Sequence, residues 1–369
     1  MSSSTYSSVH LVQRPKANIV PGETFLLKTN EAPKASDLED GEVLFQSLYL
    51  SLDPAMRGWL NDARSYVPPV QIGEVMRGAA IGAITASKSD DFPVGSYATG
   101  ASGWTELAVM KSKDLQRVDF PKNGKITDTL GVLGITGLTA YFGLLDVGKV
   151  KAGDFVVVSG AAGATGSVVG QIAKLKGARV LGIAGSEDKV QWLKDDLRFD
   201  NALNYKDQDF SKKFKEATKD YIDVFFDNVG GEVLDLALSR AKQHARFIIC
   251  GAISQYNSSK PEGPKNYFNI IAMRIRMEGF IIMDYAKQWP EARKELAQWL
   301  SEGKIQRKET IIKGGLAKAE SALIELYNGV NTGKWLNIGE PDPGNVLTPT
   351  AGKLLVEVLP EEGHARASL

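Results

Sequence analysis

The residues best suited to chemistry lie in one short stretch, residues 155–170, with the sequence FVVVSGAAGATGSVVG. Its apolar start, Phe155 to Val158, predicts a strand buried on both faces of a parallel sheet. Ala161, Gly163 and Gly166 follow with the spacing A-x-G-x-x-G, which predicts a tight turn into a helix. Such a turn lets the backbone approach a pyrophosphate, and the helix N-terminus offers unpaired N–H groups to it. The alternative is an ordinary glycine turn, which is common after a strand.

A second group of candidates follows the next predicted strand, which ends at residue 184. Sites that prefer NAD place Asp or Glu there to bind the ribose 2′-hydroxyl. This chain has Ser186 and then Lys189, and a hydroxyl with an ammonium suits a 2′-phosphate, hence NADP. Tyr205, which closes the third predicted strand, can donate to the same phosphate. The alternatives are a solvated helical lysine beside Asp188 and an ordinary half-buried tyrosine.

The fourth and fifth predicted strands also end in residues suited to a flat ligand, because ligands of open α/β sheets bind at the carboxyl ends of the strands. Asn228 precedes a glycine pair and can bond a ribose, or it belongs to a simple turn. The other candidates end the fifth strand and form the loop after it: Cys250, Gly251, Ala252, Ile253, Ser254 and Tyr256. We interpret Cys250 as a buried strand residue and not as a nucleophile, since nothing near it in sequence would lower its pKa.

Strand and helix patterns alternate six times from residue 155 onward, which predicts a doubly wound parallel sheet. The predicted strands are residues 155–159, 178–184, 201–205, 221–227, 246–251 and 276–283. Residues 9–118 instead show short apolar runs punctuated by glycine, which is typical of a compact β domain. Two further strands, 334–338 and 353–358, are predicted to return to that domain. We therefore predict a first domain over 1–128, completed by 315–369, and a dinucleotide-binding domain over 129–314.

Composition excludes several classes of function. The 369 residues suit about two domains, and 43% of them are hydrophobic. Lys and Arg together number 44, as do Asp and Glu, which argues against nucleic acid or a membrane surface as partner. No apolar run approaches the ~20 residues of a membrane span, and the serine-rich start lacks the apolar core of a secretory signal. One cysteine and three histidines exclude an intrachain disulfide and a cysteine-based zinc site. We therefore expect a cytoplasmic protein without a metal.

Five blocks of sequence together carry a family resemblance: LYLSLDPAMRG (48–58), GITGLTAYFGL (134–144), AAGATGSVVGQIAKLKGARVLGIAGSEDK (161–189), FDNVGGEVLD (226–235) and CGAISQYN (250–257). They resemble the zinc-independent prostaglandin reductase and alkenal double-bond reductase branch of the medium-chain dehydrogenase/reductase superfamily. The resemblance extends in order over nearly the whole chain. It implies an α/β fold, with a GroES-like β-barrel domain and a doubly wound Rossmann domain. It also implies NADPH as the hydride donor and a homodimer.

By this resemblance the turn residues Gly163, Ala164, Thr165 and Gly166 hold the pyrophosphate, and Lys189 and Tyr205 hold the 2′-phosphate. The rest of the cofactor is expected to contact Asn228, the loop 250–256, Phe280, Ile281, Ile282 and Asn331. One position departs from the family: Ala55 stands where related proteins have a tyrosine that faces the substrate. This departure leaves the preferred substrate open. Trp59 and Tyr66 are candidate lining residues of the same pocket, with plain packing as the alternative.

The resemblance also implies a reaction, the reduction of an α,β-unsaturated aldehyde or ketone (an enal or enone) by hydride transfer to its β-carbon. Negative charge then develops on the carbonyl oxygen, so hydrogen-bond donors must point there. Tyr256 is the first candidate donor, and Tyr49 and Arg57 are weaker ones, with an ion pair to Asp53 as the alternative role of Arg57. Two other functions stay open: a quinone reductase of the same superfamily, and an NADPH-binding regulatory protein without turnover.

Overall fold

The computed structural model describes residues 5–118, 124–328 and 351–359. These residues form two compact units, one within 1–130, 310–326 and 354–369, and the other within 131–309 and 327–353. The described residues 351–353 thus group with the second unit, whereas our predicted domains assigned them to the first. The predicted strand 334–338 lies outside the described residues.

The secondary structure of the described residues consists of the following elements. The strands are β1 (Thr5–Leu11), β2 (Phe25–Glu31), β3 (Glu42–Ser51), β4 (Ala80–Ser87), β5 (Tyr97–Gly100), β6 (Leu107–Lys111), β7 (Gln116–Arg117), β8 (Phe155–Val158), β9 (Arg179–Ala184), β10 (Asn201–Asn204), β11 (Ile222–Asp227), β12 (Ala241–Ile249), β13 (Arg276–Gly279), β14 (Glu309–Ile312) and β15 (Lys353–Glu357). The helices are α1 (Met56–Trp59), α2 (Ile135–Phe142), α3 (Ala164–Leu175), α4 (Glu187–Asp195), α5 (Phe210–Ala217), α6 (Gly231–Ser239), α7 (Phe268–Ala272), α8 (Trp289–Ser301) and α9 (Ala319–Asn328).

The first unit is built mainly from antiparallel strands, as its glycine-punctuated sequence predicts. β1 pairs with β2 in a small sheet. A second sheet has the order β14-β15-β3-β4-β5-β7, with β6 also paired to β3. The late strand β15 lies antiparallel to β3, which confirms that the end of the chain returns to this sheet. This unit is the GroES-like domain that the resemblance implies.

The second unit contains a six-stranded parallel sheet in the order β10-β9-β8-β11-β12-β13. Alternate residues of β8 belong to different apolar clusters. Val156 and Val158 pack with Ile172 of α3, whereas Phe155 and Val157 pack with Phe214 of α5. Helices therefore cover both faces of the sheet, and the predicted doubly wound fold is confirmed.

One predicted strand is too long. We predicted strand over residues 276–283, but β13 ends at Gly279 and residues Ile282–Gln288 form a 3-10 helix. Gly279 lies opposite Ile249, the last residue of β12. Because the neighbouring strand ends there, the residues after Gly279 have no ladder to continue, however apolar they are.

The packing of α3 against the sheet depends on a glycine one helical turn after the predicted motif. A Cβ atom at Gly170 would lie 1.9 Å from the ring of Phe199, which is itself buried. Contacts that short do not occur, so the ring and the helix backbone touch only because residue 170 has no side chain.

We therefore expect Gly170→Ala to destabilise the protein by about 1–3 kcal/mol, the usual range for overpacking a filled core. Phe199→Leu should recover part of that loss in the double variant, because it removes the ring that clashes. Urea denaturation followed by fluorescence measures both effects. Gly263→Ala is the matched control, since a Cβ there meets no atom within 4 Å. A Gly170→Ala variant as stable as the control would contradict this account of the packing.

Candidate functional site

The turn between β8 and α3 is built on Gly160, one residue before the motif that we singled out. Gly160 has φ +58°, a left-handed conformation that favours glycine, and its carbonyl accepts the N–H of Gly163 at 2.9 Å. A Cβ at Gly166 would lie 2.4 Å from the same carbonyl oxygen. The sequence therefore works as G-x-x-G-x-x-G from residue 160, and this spacing was the signal for Gly160 that we missed.

This turn can receive an anion at its outer side. Gly163 is exposed and immediately precedes α3, while Ala161 is fully buried against the sheet. The N–H groups of the first helical turn (Ala164, Thr165 and Gly166) have no acceptor within the helix, and no side chain caps the helix. Gly352 completes the turn from far along the chain, because its N–H donates to Ala162 O at 2.8 Å. These groups fit a pyrophosphate.

A buried hydrogen-bond network joins this turn to the end of the neighbouring strand β11. Asp227, which is fully buried, accepts the Ser159 hydroxyl at 2.7 Å and the N–H groups of Val229 and Gly230, both at 3.0 Å, all on Oδ1. The Ser159 hydroxyl in turn accepts the N–H of Asn228 at 2.8 Å. Residue 159 directly precedes the glycine turn, so one carboxylate oxygen fixes both strand ends.

Burial of Asp227 also affects the pKa values at this edge of the sheet. It raises the pKa of the Asp227 carboxyl, although the hydrogen bonds from Gly230, Ser159 and Val229 oppose that rise. Burial and then the nearby Asp227 raise the pKa of the Cys250 thiol to about 12. The thiol is therefore protonated at neutral pH, which agrees with our interpretation that Cys250 is not a nucleophile.

Asn228 uses its side chain differently from our expectation. Its Nδ2 donates to the backbone oxygen of Ser159 at 2.7 Å, so the amide group helps to join β8 to β11. Besides this bond the amide group has its Oδ1 and a second Nδ2 hydrogen, and either could bond a ribose hydroxyl. The role predicted for Asn228 stays a prediction.

The loop after β12 lies directly on this network. The N–H groups of Cys250 and Gly251 donate to Asp227 O at 2.9 and 3.0 Å, and Ser254 Oγ donates to Val229 O at 2.6 Å. The Tyr256 hydroxyl accepts the N–H of Ala252 at 3.2 Å. The structure thus brings together Asn228 and the predicted residues Cys250, Gly251, Ala252, Ile253, Ser254 and Tyr256.

A second part of the site lies at the ends of β9 and β10. Ser186 precedes α4 and is buried, yet its Oγ has no hydrogen-bond partner among the described residues. Lys189 is in the first turn of α4, and burial followed by the nearby Lys206 lowers its pKa to about 8. The Tyr205 ring lies against Gly185, and burial raises the pKa of its hydroxyl.

Two of these side chains have an unmet polar need: Ser186 has a buried hydroxyl without a partner among the described residues, and Lys189 has a partly desolvated cation. Both features are unfavourable in the protein alone, and a phosphate dianion would relieve both. Sequence reasoning identified Ser186, Lys189 and Tyr205 but missed Lys206, whose ammonium lies 5.9 Å from the centre of the Tyr205 ring. The position of Lys206 directly after Tyr205 was the available signal. The residues fit the 2′-phosphate of NADP.

The remaining predicted cofactor contacts are less informative. Phe280 packs edge to face on Phe226, with ring centroids 6.5 Å apart. Ile281 is half-buried, and Ile282 is buried in the same apolar cluster as Phe226. Asn331 lies outside the described residues.

Two candidate catalytic residues lie in the first unit and have contacts of their own. Arg57 in α1 is only 2% exposed, and its three nitrogens donate to Ala17 O, Pro15 O and Asn61 Oδ1. These bonds hold residues 15–17 against α1 and favour a structural role. Tyr49 in β3 is buried in an apolar cluster, which favours packing.

The described residues contain neither a candidate metal site nor a candidate membrane-spanning helix. No group of three or more His, Cys, Asp or Glu side chains within residues 5–118, 124–328 and 351–359 could hold a metal ion. In the same part of the chain, no helix is both long and apolar enough to cross a membrane.

Comparison with known protein families gives two matches. Residues 7–118 match the N-terminal domain of oxidoreductases, and residues 164–299 match a family described as zinc-binding dehydrogenase. The second match begins with α3, directly after the glycine turn, and includes Lys189 and the loop after β12. The two matches together cover more than half of the chain.

Several individual proteins are similar to this chain over most of their own length. Prostaglandin reductase 1 of Bos taurus is 42% identical over 315 residues, which cover 84% of this chain and 92% of that protein. An NADP(+)-dependent 2-alkenal reductase of Nicotiana tabacum is 37% identical, with 82% and 92% covered. The crystal structure of CurA from Vibrio vulnificus in complex with NADPH has a TM-score of 0.84 and 38% identity, with 96% and 99% covered. The cofactor of this chain is accordingly NADPH.

The lowered pKa of Lys189 predicts a pH dependence of cofactor binding. Below about pH 8 the ammonium is charged in the free protein, and a bound 2′-phosphate favours that charged form. NADPH affinity should therefore be highest below pH 8 and fall as the pH rises through 8, by up to about tenfold per pH unit. NADH lacks the 2′-phosphate, so its affinity should not follow this curve. Fluorescence titrations of both cofactors between about pH 7 and pH 9.5 measure the difference.

Lys189→Met tests whether this lysine is the titrating group. It should weaken NADPH binding by about tenfold or more, leave NADH binding unchanged and flatten the pH profile. Lys194→Met is the matched control, since Lys194 is exposed on the same helix. A pH profile that persists in Lys189→Met would contradict the assignment of the titration to Lys189.

Proposed function

The chain belongs to the prostaglandin reductase and alkenal double-bond reductase branch of the medium-chain dehydrogenase/reductase superfamily, and from that membership we propose that it reduces the C=C bond of α,β-unsaturated aldehydes and ketones. It is an NADP-dependent oxidoreductase. The observation that carries the proposed reaction is the hydroxyl of Tyr256, held beside the strand ends that bind the cofactor. Two similar proteins support this choice of substrate: a prostaglandin reductase and a 2-alkenal reductase.

Different residues of the second unit bind different parts of NADPH in this proposal. The N–H groups at the start of α3 bind the pyrophosphate, and Ser186, Lys189 and Tyr205 bind the 2′-phosphate. Asn228 and the loop 250–256 border the remaining part of the molecule. When bound, NADPH supplies the hydride that the reaction needs.

Tyr256 has the role of an electrophilic donor in this proposal. Reduction at the β-carbon leaves negative charge on the carbonyl oxygen of the substrate, and a donor fixed in advance stabilises that charge most effectively. The N–H of Ala252 donates to the phenol oxygen and helps to position it. In the proposed step the phenol O–H donates to the carbonyl oxygen, and the α-carbon takes its proton from this hydroxyl or from water. No residue in this scheme needs a metal.

A homodimer is the assembly that the surface of the second unit favours. β13 is an edge strand of the parallel sheet in the described part of the chain, so one side of it offers unpaired backbone groups. Beside it in sequence, α7 exposes Tyr267, Phe268 and Ile271 at 63%, 68% and 66%. An open strand edge next to exposed apolar side chains is typical of a surface that a second copy covers. We propose that two copies meet there.

The location that fits these features is the cytoplasm, where NADPH is available and a lone cysteine stays reduced. Imaging of a fluorescent fusion in the source cells tests this location, and enrichment in a secretory compartment would contradict it.

The proposed reaction predicts the outcome of a substrate panel. The protein with NADPH should reduce a linear 2-alkenal and an aryl enone to the saturated carbonyl compounds, which mass spectrometry identifies. With NADPH deuterated at C4, the deuterium should appear on the β-carbon. A naphthoquinone completes the panel: a far higher kcat/KM for the quinone would favour the quinone reductase, and tight NADPH binding without any oxidation would favour the regulatory protein.

Tyr256→Phe should lower kcat by about 100-fold with enal or enone substrates, because it removes the hydroxyl that donates to the carbonyl oxygen in this proposal. NADPH affinity should stay nearly unchanged, because the ring is kept and the cofactor contacts of the other residues are untouched, although the N–H of Ala252 loses its acceptor. Stopped-flow kinetics and cofactor titration separate the two effects. Tyr221→Phe is the control, since Tyr221 is exposed at the opposite end of β11. An unchanged kcat would remove Tyr256 from the mechanism.

The dimer proposal predicts that Ile271→Glu makes the protein monomeric. A charge at the centre of the apolar surface would be desolvated in the dimer and remains solvated in the monomer. Light scattering after size-exclusion chromatography measures the mass. Val94→Glu, an equally exposed apolar position in the first unit, should leave the dimer intact. A monomeric natural protein would refute the proposal outright.

A further inference from the structure

The side chain of Lys189 is half-buried at the start of α4 and has no partner of opposite charge. It forms no hydrogen bond and no ion pair with any residue in the described part of the chain. The two acids that precede it, Glu187 and Asp188, are both exposed. An ammonium in this position has lost part of its hydration and has gained no carboxylate in return, which disfavours its charged form.

A second cation acts on the same amine. The N–H of Tyr205 donates to Ala184 O at 2.9 Å, which holds residues 205 and 206 beside the strand end that leads into α4. Burial, and then the nearby Lys206, lowers the pKa of the Lys189 ammonium to about 8. Near that pH about half of the free protein carries Lys189 as a neutral amine, whereas an ordinary lysine is almost entirely charged. The neutral amine is a nucleophile, and the ammonium is not.

The surroundings of this amine favour a negative charge. Ser186 is only 7% exposed, and its Oγ has no hydrogen-bond partner among the described residues. Ser186 is the N-cap of α4 and Lys189 is its third residue, positions whose side chains lie next to each other at a helix start. No side chain caps α4, so its first N–H groups keep the partial positive charge of a helix N-terminus.

One small electrophile converts this amine to an anion without a further reactant. The nitrogen lone pair of neutral Lys189 attacks the carbon of CO₂, so that a C–N bond forms and one C=O π bond opens onto its oxygen. A proton then leaves the nitrogen for water, and the product is a carbamate. Nothing is oxidised or reduced, and the reverse reaction releases CO₂. The Ser186 hydroxyl, the Lys206 ammonium and the start of α4 are the groups that would stabilise the new charge.

We propose that CO₂ reversibly modifies Lys189 to a carbamate, and that the modified protein loses its preference for NADPH over NADH. The inference rests on the role proposed for Lys189 toward the 2′-phosphate, but not on the reaction that the protein catalyses. A carbamate would repel the 2′-phosphate, because it replaces a cation by an anion. Sites that prefer NAD have a carboxylate near the ribose 2′-hydroxyl, so NADH affinity should not fall.

The test is a fluorescence titration with each cofactor near pH 8, the pH at which the amine is half neutral. One sealed sample contains carbon-13-labelled CO₂ and bicarbonate, and the other contains chloride at the same ionic strength. The Kd for NADPH should rise with CO₂ and reach about tenfold when about nine-tenths of Lys189 is modified, since only the rest can bind. The Kd for NADH should not rise. Triethyloxonium ion converts a carbamate to a stable ester, and peptide mass spectrometry should find the labelled ester on Lys189. Saturating NADPH should suppress that label.

Two variants make the test specific. Lys189→Arg keeps a cation for the 2′-phosphate, but a guanidinium stays charged and cannot form the carbamate. It should bind NADPH and lose the response to CO₂. Lys194→Met is the matched control, because Lys194 is an exposed lysine on the same helix. It should respond to CO₂ as the natural protein does.

The other outcomes overturn the proposal for different reasons. An equal effect of bicarbonate on Lys189→Arg would show that the anion itself competes with NADPH. Label spread equally over Lys189 and exposed lysines such as Lys194 would show indiscriminate modification, and an unlabelled Lys189 would refute the carbamate. Label on Lys189 with unchanged NADPH affinity would refute the loss of preference and the role of Lys189 at the 2′-phosphate, but not the carbamate. None of these readouts uses turnover, so failure of the proposed reaction is recognised separately.

Discussion

A single buried carboxylate oxygen, Oδ1 of Asp227, is the contact on which the rest of the cofactor site depends. It accepts three hydrogen bonds, one from Ser159 and two from the turn after β11. The backbone oxygen of the same residue accepts two more from the loop after β12. Three adjacent strand ends are thereby fixed to one residue. The glycine turn, the amide of Asn228 and the hydroxyl of Tyr256 each depend on one of those strand ends for their position.

We propose a different physical origin, desolvation, for the preference for NADPH. Ser186 and Lys189 are unfavourably placed in the protein alone: one has a buried hydroxyl without a partner, and the other has a cation whose pKa burial lowers. A phosphate dianion corrects both, whereas a ribose hydroxyl corrects neither. Discrimination of this kind arises because polar groups stay unpaired when the wrong cofactor binds. The glycine turn contributes nothing to it, because both cofactors have the same pyrophosphate.

The sequence predicted the fold of the second unit well because strand and helix patterns there are long, apolar and separated by glycine. It located Lys189 and Tyr205 because the carboxyl ends of parallel strands meet at one edge of the sheet. It could not predict the hydrogen bonds of Asp227. An Asp at the end of a strand has the same sequence pattern whether it accepts hydrogen bonds from neighbouring strands or is solvated. The sixth predicted strand is too long for a similar reason. β13 ends where its neighbour β12 ends, and the residues of β13 alone do not show where β12 ends. We missed Gly160 because the small-residue spacing can be counted from either Gly160 or Ala161, and we counted it from Ala161.

The hydrogen bond from Gly352 to Ala162 has a consequence for how the protein is made. The ribosome synthesises the glycine turn before the middle of the chain is complete, but Gly352 is added only after all six strands of the parallel sheet. A nascent chain can therefore assemble its sheet while one carbonyl of the turn still lacks its final donor. The complete turn therefore requires a residue that the ribosome adds long after the turn itself.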